Sequence, residues 1–142
     1  MQEKIKAILK NEKIHIPILI CLGIIFFLPN LGTVHLFDWD EINFAEAARE
    51  MIITKDFMRV KINFHPFWEK PPLFFWLQVV SMSIFGVTEF AARFVNALCG
   101  IITLLIVYSI GKRQYDASFG ILWALAILGS FFPHMFKKIR YN

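Results

Sequence analysis

Four stretches of this chain, residues 14–37, 71–88, 94–111 and 117–136, contain no Asp, Glu, Lys or Arg. The shortest holds about 18 residues, and a helix of that length, rising about 1.5 Å per residue, extends about 27 Å, close to the hydrocarbon thickness of a bilayer. The sequence therefore predicts an all-α membrane protein with about four transmembrane helices. Its 57% hydrophobic content and mean hydropathy of +0.56 agree, since soluble domains do not normally reach such values. In the second window Gln78, Ser81 and Ser83 predict one face turned to protein rather than lipid.

A net charge of +4 would suggest nucleic acid in a soluble protein. Here Lys4, Lys6, Lys10 and Lys13 precede the first window, and Lys137, Lys138 and Arg140 follow the last. Such clusters at membrane-helix ends mark the cytoplasmic side, so no nucleic-acid partner is expected. An even number of crossings then places a basic start (1–13) and a basic tail (137–142) in the cytoplasm, and the 38–70 loop outside it, on a multi-pass protein of the plasma or bacterial inner membrane. Lys112 and Arg113 run against this arrangement, because it puts them outside. No small-x-small cleavage site follows the first apolar run, which reads as an uncleaved anchor. Cys21 and Cys99 lie inside the windows without Cys-x-x-Cys spacing and read as packing residues.

Asp38, Asp40, Glu41, Glu46, Glu50, Asp56 and Glu69 place most of the chain's 11 acidic residues in the 38–70 loop. From Asp40 to Ile53 the apolar Phe44, Ala45, Ala48, Met51 and Ile52 recur at helical spacing, with Asn43, Glu46 and Glu50 on the other side. This predicts an amphipathic helix along the membrane surface, compatible with its packing under the rest of the protein. Lys55-Asp56 reads as a turn and Met58 to Phe64 as extended. Pro71 and Pro72 set the first turn of the next helix, Gly86 ends it, and Val87 to Arg93 reads as a short reversal. Arg93, after Glu89, reads as a helix-end anchor.

Asp38 and Glu41 have capping-box spacing, and one cap needs one carboxylate. Three carboxylates within Asp38 to Glu41 leave a surplus that can accept a proton or hold a metal. Lys70 reads either as an interfacial lysine reaching the headgroups or as a phosphate ligand at a helix amino terminus. Glu69 is its charge partner or a second carboxylate facing the same cavity. His65 and Glu69 have a metal-ligand spacing only on a helix, which Pro66 opposes. Trp39, Phe67, Trp68 and Trp76 read as interfacial aromatics whose rings also suit sugar stacking. No dinucleotide fingerprint, phosphate loop or nucleophile elbow is present.

The series Asp38-Trp39-Asp40-Glu41, Phe44-Ala45-Glu46-Ala47-Ala48-Arg49-Glu50-Met51, Trp68-Glu69-Lys70-Pro71-Pro72, Phe85-Gly86-Val87 and Ala91-Ala92-Arg93-Phe94 resembles the amino-terminal part of the polyprenyl-phosphate-sugar-dependent membrane glycosyltransferases. This GT-C group contains bacterial aminoarabinose transferases and dolichyl-phosphate-mannose protein mannosyltransferases. The resemblance implies a first extracytoplasmic loop that forms surface helices and one wall of an active site. It ties Asp40 to catalysis with Glu41 beside it, and Lys70 to the lipid-linked phosphate. Glu69 and Asp38 join Lys70 on the substrate side, and a divalent cation is allowed at Glu69 or Asp40. The partners implied are a lipid-linked sugar donor, a hydroxyl acceptor and membrane lipids. Family members continue through many more helices and a further domain, so a truncated form with a missing carboxy-terminal part is expected. The competing reading is a noncatalytic four-helix membrane protein that packs with partners and uses its loop carboxylates as caps.

Overall fold

A computed structural model describes residues 11–29, 31–33, 35–36 and 40–139, with side chains as far as residue 130. Asp38, Trp39, Lys4, Lys6, Lys10 and Arg140 lie outside the described residues. Five helices and one hairpin make up the described chain: α1 (Glu12–Phe27), α2 (Asp40–Thr54), β1 (Lys61–Ile62), β2 (His65–Pro66), α3 (Leu73–Phe85), α4 (Glu89–Gln114) and α5 (Ala117–Ile139). Among the described residues α4 is the one helix both long and apolar enough to cross a membrane. The 13 residues of α3 extend about 20 Å, short of a hydrocarbon core.

Helix boundaries follow local chemistry. Helix α1 stops two residues before Pro29, whose ring disfavours helical geometry just ahead of it. Pro72 precedes α3, and its carbonyl accepts the Trp76 N–H at 3.0 Å. Gly86 ends α3 at φ 80°, a conformation that side chains resist. Helix α4 begins at Glu89 rather than at 94, because the Thr88 hydroxyl accepts the Ala91 N–H at 3.2 Å and Glu89 adds an acidic residue to the first turn. The expected reversal is thus helical over much of its length, and Arg93 sits inside a helix.

The chain forms two compact units, one of residues 1–29 and 98–142, the other of residues 30–97. In the first unit, α1 and the later part of α4 pair antiparallel. Descending α1 from residue 27 to 12, the partners on α4 climb. The Phe27 ring lies at Gly100, where a Cβ would meet it at 3.1 Å, and Gly23 fits against Ile101. His15 Nδ1 is 3.2 Å from the Tyr108 hydroxyl. Lys112 Nζ donates to Glu12 Oε2 at 2.7 Å. Lys112 therefore lies at the amino-terminal end of α1. Helix α5 joins through Leu19, Tyr108, Ile121 and Ala124, and Gly120 is so close to α4 that a Cβ would stand 2.6 Å from the Tyr108 carbonyl oxygen.

The second unit is built on α2, the hairpin, α3 and the first turns of α4. Ala47, Met51, Val60 and Phe75 form one buried cluster, flanked by Phe44, Ile62 and Phe67. Ala45, Ala48, Met82, Ala91 and Ala92 form another. Alanines at both clusters let α2 approach its neighbours closely, which offsets the small area each one buries. Gln78 Nε2 and Ser81 Oγ donate to the Ala92 and Ala91 carbonyls at 3.0 and 2.7 Å. Gln78 and Ser81 thus face protein as expected, whereas Ser83 is exposed and donates to the Val79 carbonyl of its own helix at 2.7 Å. On the other side of α3, Leu73, Leu77, Val80 and Ile84 form an exposed apolar stripe at helical spacing.

The polar side of α2 is where sequence reading and structure differ most. Glu50, expected on the outward face with Glu46, is 1% exposed. Both of its carboxylate oxygens accept the Phe64 N–H, at 3.1 and 3.0 Å. Asn63 and Phe64 form the two-residue turn of the hairpin at φ 53° and 61°, the paired positive φ values of a type I′ turn. Such turns favour Asn and Gly, so the carboxylate's hold on Phe64 compensates a residue type that resists this geometry.

Candidate active site

Asp40 and Glu41 open α2, where the helix dipole favours negative charge. The two carboxylates then diverge in environment. Glu41 accepts a forked pair from Arg93, Nε to Oε1 at 2.7 Å and Nη2 to Oε2 at 3.1 Å. The same guanidinium donates to the Leu31 carbonyl (2.8 Å) and the His35 carbonyl (2.8 Å). Arg93 is thus no helix-end anchor. Its planar fork draws together the segment before α2, the first turn of α2 and an early turn of α4. Side chains exposed by only 11% for Arg93 and 25% for Glu41 make this a partly desolvated pair. Glu41, with both oxygens engaged, is committed to position. Asp40 is exposed beside it.

Lys70 is exposed three residues before α3, and its Nζ lies 5.9 Å from the centroid of the Phe44 ring. Phe44 is four residues after Asp40 on α2, so the two occupy one face, a turn apart. Phe44 is fixed in turn by edge-on contacts with Phe74 and Phe75 at 5.6 and 5.4 Å. The α2–α3 packing thus carries the lysine to the face of α2 that bears Asp40. Glu69 is exposed next to Lys70. His65 lies in β2, not on a helix, so its four-residue spacing to Glu69 does not put the two on one face. Among the described residues no three His, Cys, Asp or Glu side chains come together as metal ligands.

Two further ion pairs of the loop are local. Glu46 accepts from two Arg49 nitrogens, Nε to Oε2 at 2.8 Å and Nη2 to Oε1. The hydrogen bonds from Arg49 hold the Glu46 carboxyl below its ordinary value against the opposing effect of burial. Lys61 donates to Asp56 at 3.0 Å and likewise lowers that carboxyl. The sequence motifs singled out Asp40, Glu41, Glu69 and Lys70. They did not single out Arg93 as a partner of Glu41, although the Ala-Arg-Phe motif contained it.

Residues 69–139 match the family described as dolichyl-phosphate-mannose-protein mannosyltransferase. The undecaprenyl phosphate-alpha-4-amino-4-deoxy-L-arabinose arabinosyl transferase 2 of Sodalis glossinidius is 31% identical over 112 residues, 79% of this chain and 20% of that protein. Two crystal structures of ArnT from Cupriavidus metallidurans are similar in fold. The apo structure has a TM-score of 0.66 at 26% identity, covering 78% of this chain and 22% of its own. The structure bound to undecaprenyl phosphate has a TM-score of 0.65 at 29% identity, covering 70% and 18%. The chain therefore spans about a fifth of the length of these relatives. With the Asp40-Glu41 and Glu69-Lys70-Pro71 motifs mounted on one helical unit, this chain belongs to the dolichyl-phosphate-mannose-protein mannosyltransferase family of membrane glycosyltransferases.

Proposed function

We propose that this chain is the amino-terminal part of a glycosyltransferase that moves a sugar from a polyprenyl-phosphate donor to a hydroxyl acceptor, lipid, protein or polysaccharide, at the outer face of the membrane. Asp40 takes the proton of the acceptor hydroxyl. The acceptor oxygen forms its bond to the anomeric carbon while the bond from that carbon to the phosphate oxygen breaks. Lys70 offsets the charge left on the departing phosphate, and the substrate-binding role is extended to Glu69 and Asp38. A phosphate needs little protonation to leave, so one base suffices, and a single displacement inverts the anomeric centre. Glu41 acts through its fork with Arg93 as a positioning group for Asp40. No step is routed through a divalent cation, because the described residues bring no three ligands together. The observation that carries this reading is the seat of Lys70 over Phe44, one turn from Asp40 on the same face of α2.

The antiparallel pairing of α1 with α4 favours three crossings over four. If α1 leaves the cytoplasm, residue 100 sits at its far end and Lys112 at its near end. The chain between them leaves and returns on one side, so α3 does not cross alone, and its 13 residues are too few to do so. Lys112 and Arg113 then lie in the cytoplasm, in accord with the positive-inside rule, whereas Lys137 and Lys138 at the end of α5, expected in the cytoplasm, fall on the outer side. Helices α1, α4 and α5 cross, and the 38–70 loop with α3 stays at the outer surface.

Transfer from undecaprenyl-phosphate-linked sugar tests the assignment when the chain is co-expressed with the carboxy-terminal remainder of a relative. Restored transfer that Asp40→Asn lowers by about 10²- to 10⁴-fold is the expected result. Undiminished transfer in Asp40→Asn removes the base from this position. Undiminished behaviour after Asp40→Asn and Lys70→Met together leaves the noncatalytic packing protein.

A further inference from the structure

The hairpin exposes a surface that the proposed chemistry does not use. The strands pair Lys61 with Pro66 and Ile62 with His65, and the Phe67 N–H extends the ladder by donating to the Val60 carbonyl at 2.8 Å. Val60, Ile62 and Phe67 pack inward against Met51 and Phe75. Side chains alternate across a strand, so the opposite face carries Lys61 and Pro66, and Arg59 and Trp68 follow just beyond the Val60–Phe67 bond. Trp68 and the adjacent Met58 are each 80% exposed, and Phe64 at the tip is 60% exposed. The indole N–H of Trp76 donates to the Phe57 carbonyl at 2.7 Å, which seats this loop on the first turn of α3. That bond ties the loop to α3, whose exposed apolar stripe starts at Leu73.

The unpaired charges of residues 55–68 have one sign. Asp56 is neutralised by Lys61, which leaves Lys55 and Arg59 exposed with no acidic partner among the described residues. Exposed aromatics interleaved with unpaired cations match the headgroup layer of an anionic bilayer, where rings bury at the acyl boundary and cations meet phosphates. We propose that the 57–68 hairpin is a wedge that seats the second unit in the outer headgroup layer of an anionic membrane, with Met58, Phe64 and Trp68 as its apolar edge and Lys55 and Arg59 as its electrostatic contacts. Glu50, by holding the turn at Phe64, is the group that keeps the wedge shaped. This inference rests on the membrane placement given under Proposed function.

The test uses the full chain with Cys21→Ser and Cys99→Ser, a nitroxide on Met58→Cys or Phe64→Cys, and vesicles of phosphatidylcholine with or without phosphatidylglycerol. Flotation after an alkaline wash is read first: loss of the chain from vesicles overturns the membrane placement itself. For inserted protein, the label should be open to oxygen and shielded from a water-soluble nickel complex in phosphatidylglycerol-containing vesicles, and less shielded in phosphatidylcholine alone. Lys55→Glu with Arg59→Glu should weaken docking on the anionic vesicles by roughly 30-fold or more, since two cations contribute. A label at residue 58 as open to nickel as one in water overturns the wedge. So does shielding that persists in detergent without lipid, because the chain itself would then cover the site. The residue 58 label reports even if replacing Phe64 disturbs the turn.

Discussion

The two units of this chain are held together by different means. In residues 1–29 and 98–142 the helices meet through glycines: Gly23 admits Ile101, Gly100 admits the Phe27 ring, and Gly120 admits the backbone of α4. In residues 30–97 the elements are tied by polar bonds between distant parts of the sequence. Glu41 meets Arg93, Glu50 meets Phe64, Trp76 meets Phe57, and Gln78 and Ser81 reach the carbonyls of α4. Lipid tails are as apolar as a helix surface, so apolar helices gain little from burial in a membrane and must gain from close fit. A unit at the interface, the placement proposed for residues 30–97, has water as the alternative partner for its polar groups. There, well-formed hydrogen bonds and ion pairs fix direction as well as proximity.

Removing the centre of the polar unit should have the largest effect. Arg93→Ala leaves Glu41 and the Leu31 and His35 carbonyls without their donor, and about 3 kcal/mol of stability should be lost, read as a lower melting temperature in detergent. The swapped pair Glu41→Arg with Arg93→Glu should not recover it, since a carboxylate cannot donate to two carbonyls. Recovery by the swap would show that charge alone matters here.

Next in size is a fault in the glycine-packed unit. Gly120→Ala places a methyl 2.6 Å from the Tyr108 carbonyl oxygen, a backbone atom that cannot rotate away. A loss of about 2 kcal/mol is expected in the same assay, with the Glu41–Arg93 region unaffected. Gly129, where an added Cβ meets nothing, is the control. Equal losses at the two glycines would break the contrast between the units.

Phe64→Gly should act in the opposite direction. It frees a positive φ that an aromatic residue resists, at a side chain already 60% exposed, and should raise stability by up to about 1 kcal/mol. The same change in a Glu50→Ala background, where the turn's N–H has lost its acceptor, should help more. The smallest effect belongs to Glu46. Its carboxyl is held below the ordinary value near 4.5 by hydrogen bonds from Arg49. A lowered folded value means that the pair's stabilisation is present above the ordinary value and disappears as pH falls through the folded one. Arg49→Gln should therefore flatten the acid side of the melting-temperature profile and cost about 0.3 kcal/mol at neutral pH.

Local rules carried far along this chain because helices are local structures. Prolines at 71 and 72, Gly86 and the spacing of Phe44, Ala48 and Met51 were enough to place α3 and the body of α2, whereas the apolar window 14–37 runs past α1, which ends at Phe27. The motif Glu69-Lys70-Pro71 was legible for the same reason, its residues being neighbours. Polarity alone misled at Glu50, since a carboxylate on a helix reads as outward until a buried N–H is found opposite it. It misled at Arg93 too, whose three acceptors lie between 52 and 62 residues away.

The amino-acid sequence by itself determined the helices, their apolar faces and the family, because each follows from residues within a few turns of one another. Only the tertiary structure decided that Glu41 is spoken for while Asp40 is exposed, that Lys70 reaches the face of α2 bearing Asp40, and that Lys112 returns to the start of α1. Those outcomes depend on which distant side chains arrive at the same place. No local period encodes that, because it is set by how closely small residues let the backbones approach and where the buried polar groups then find partners.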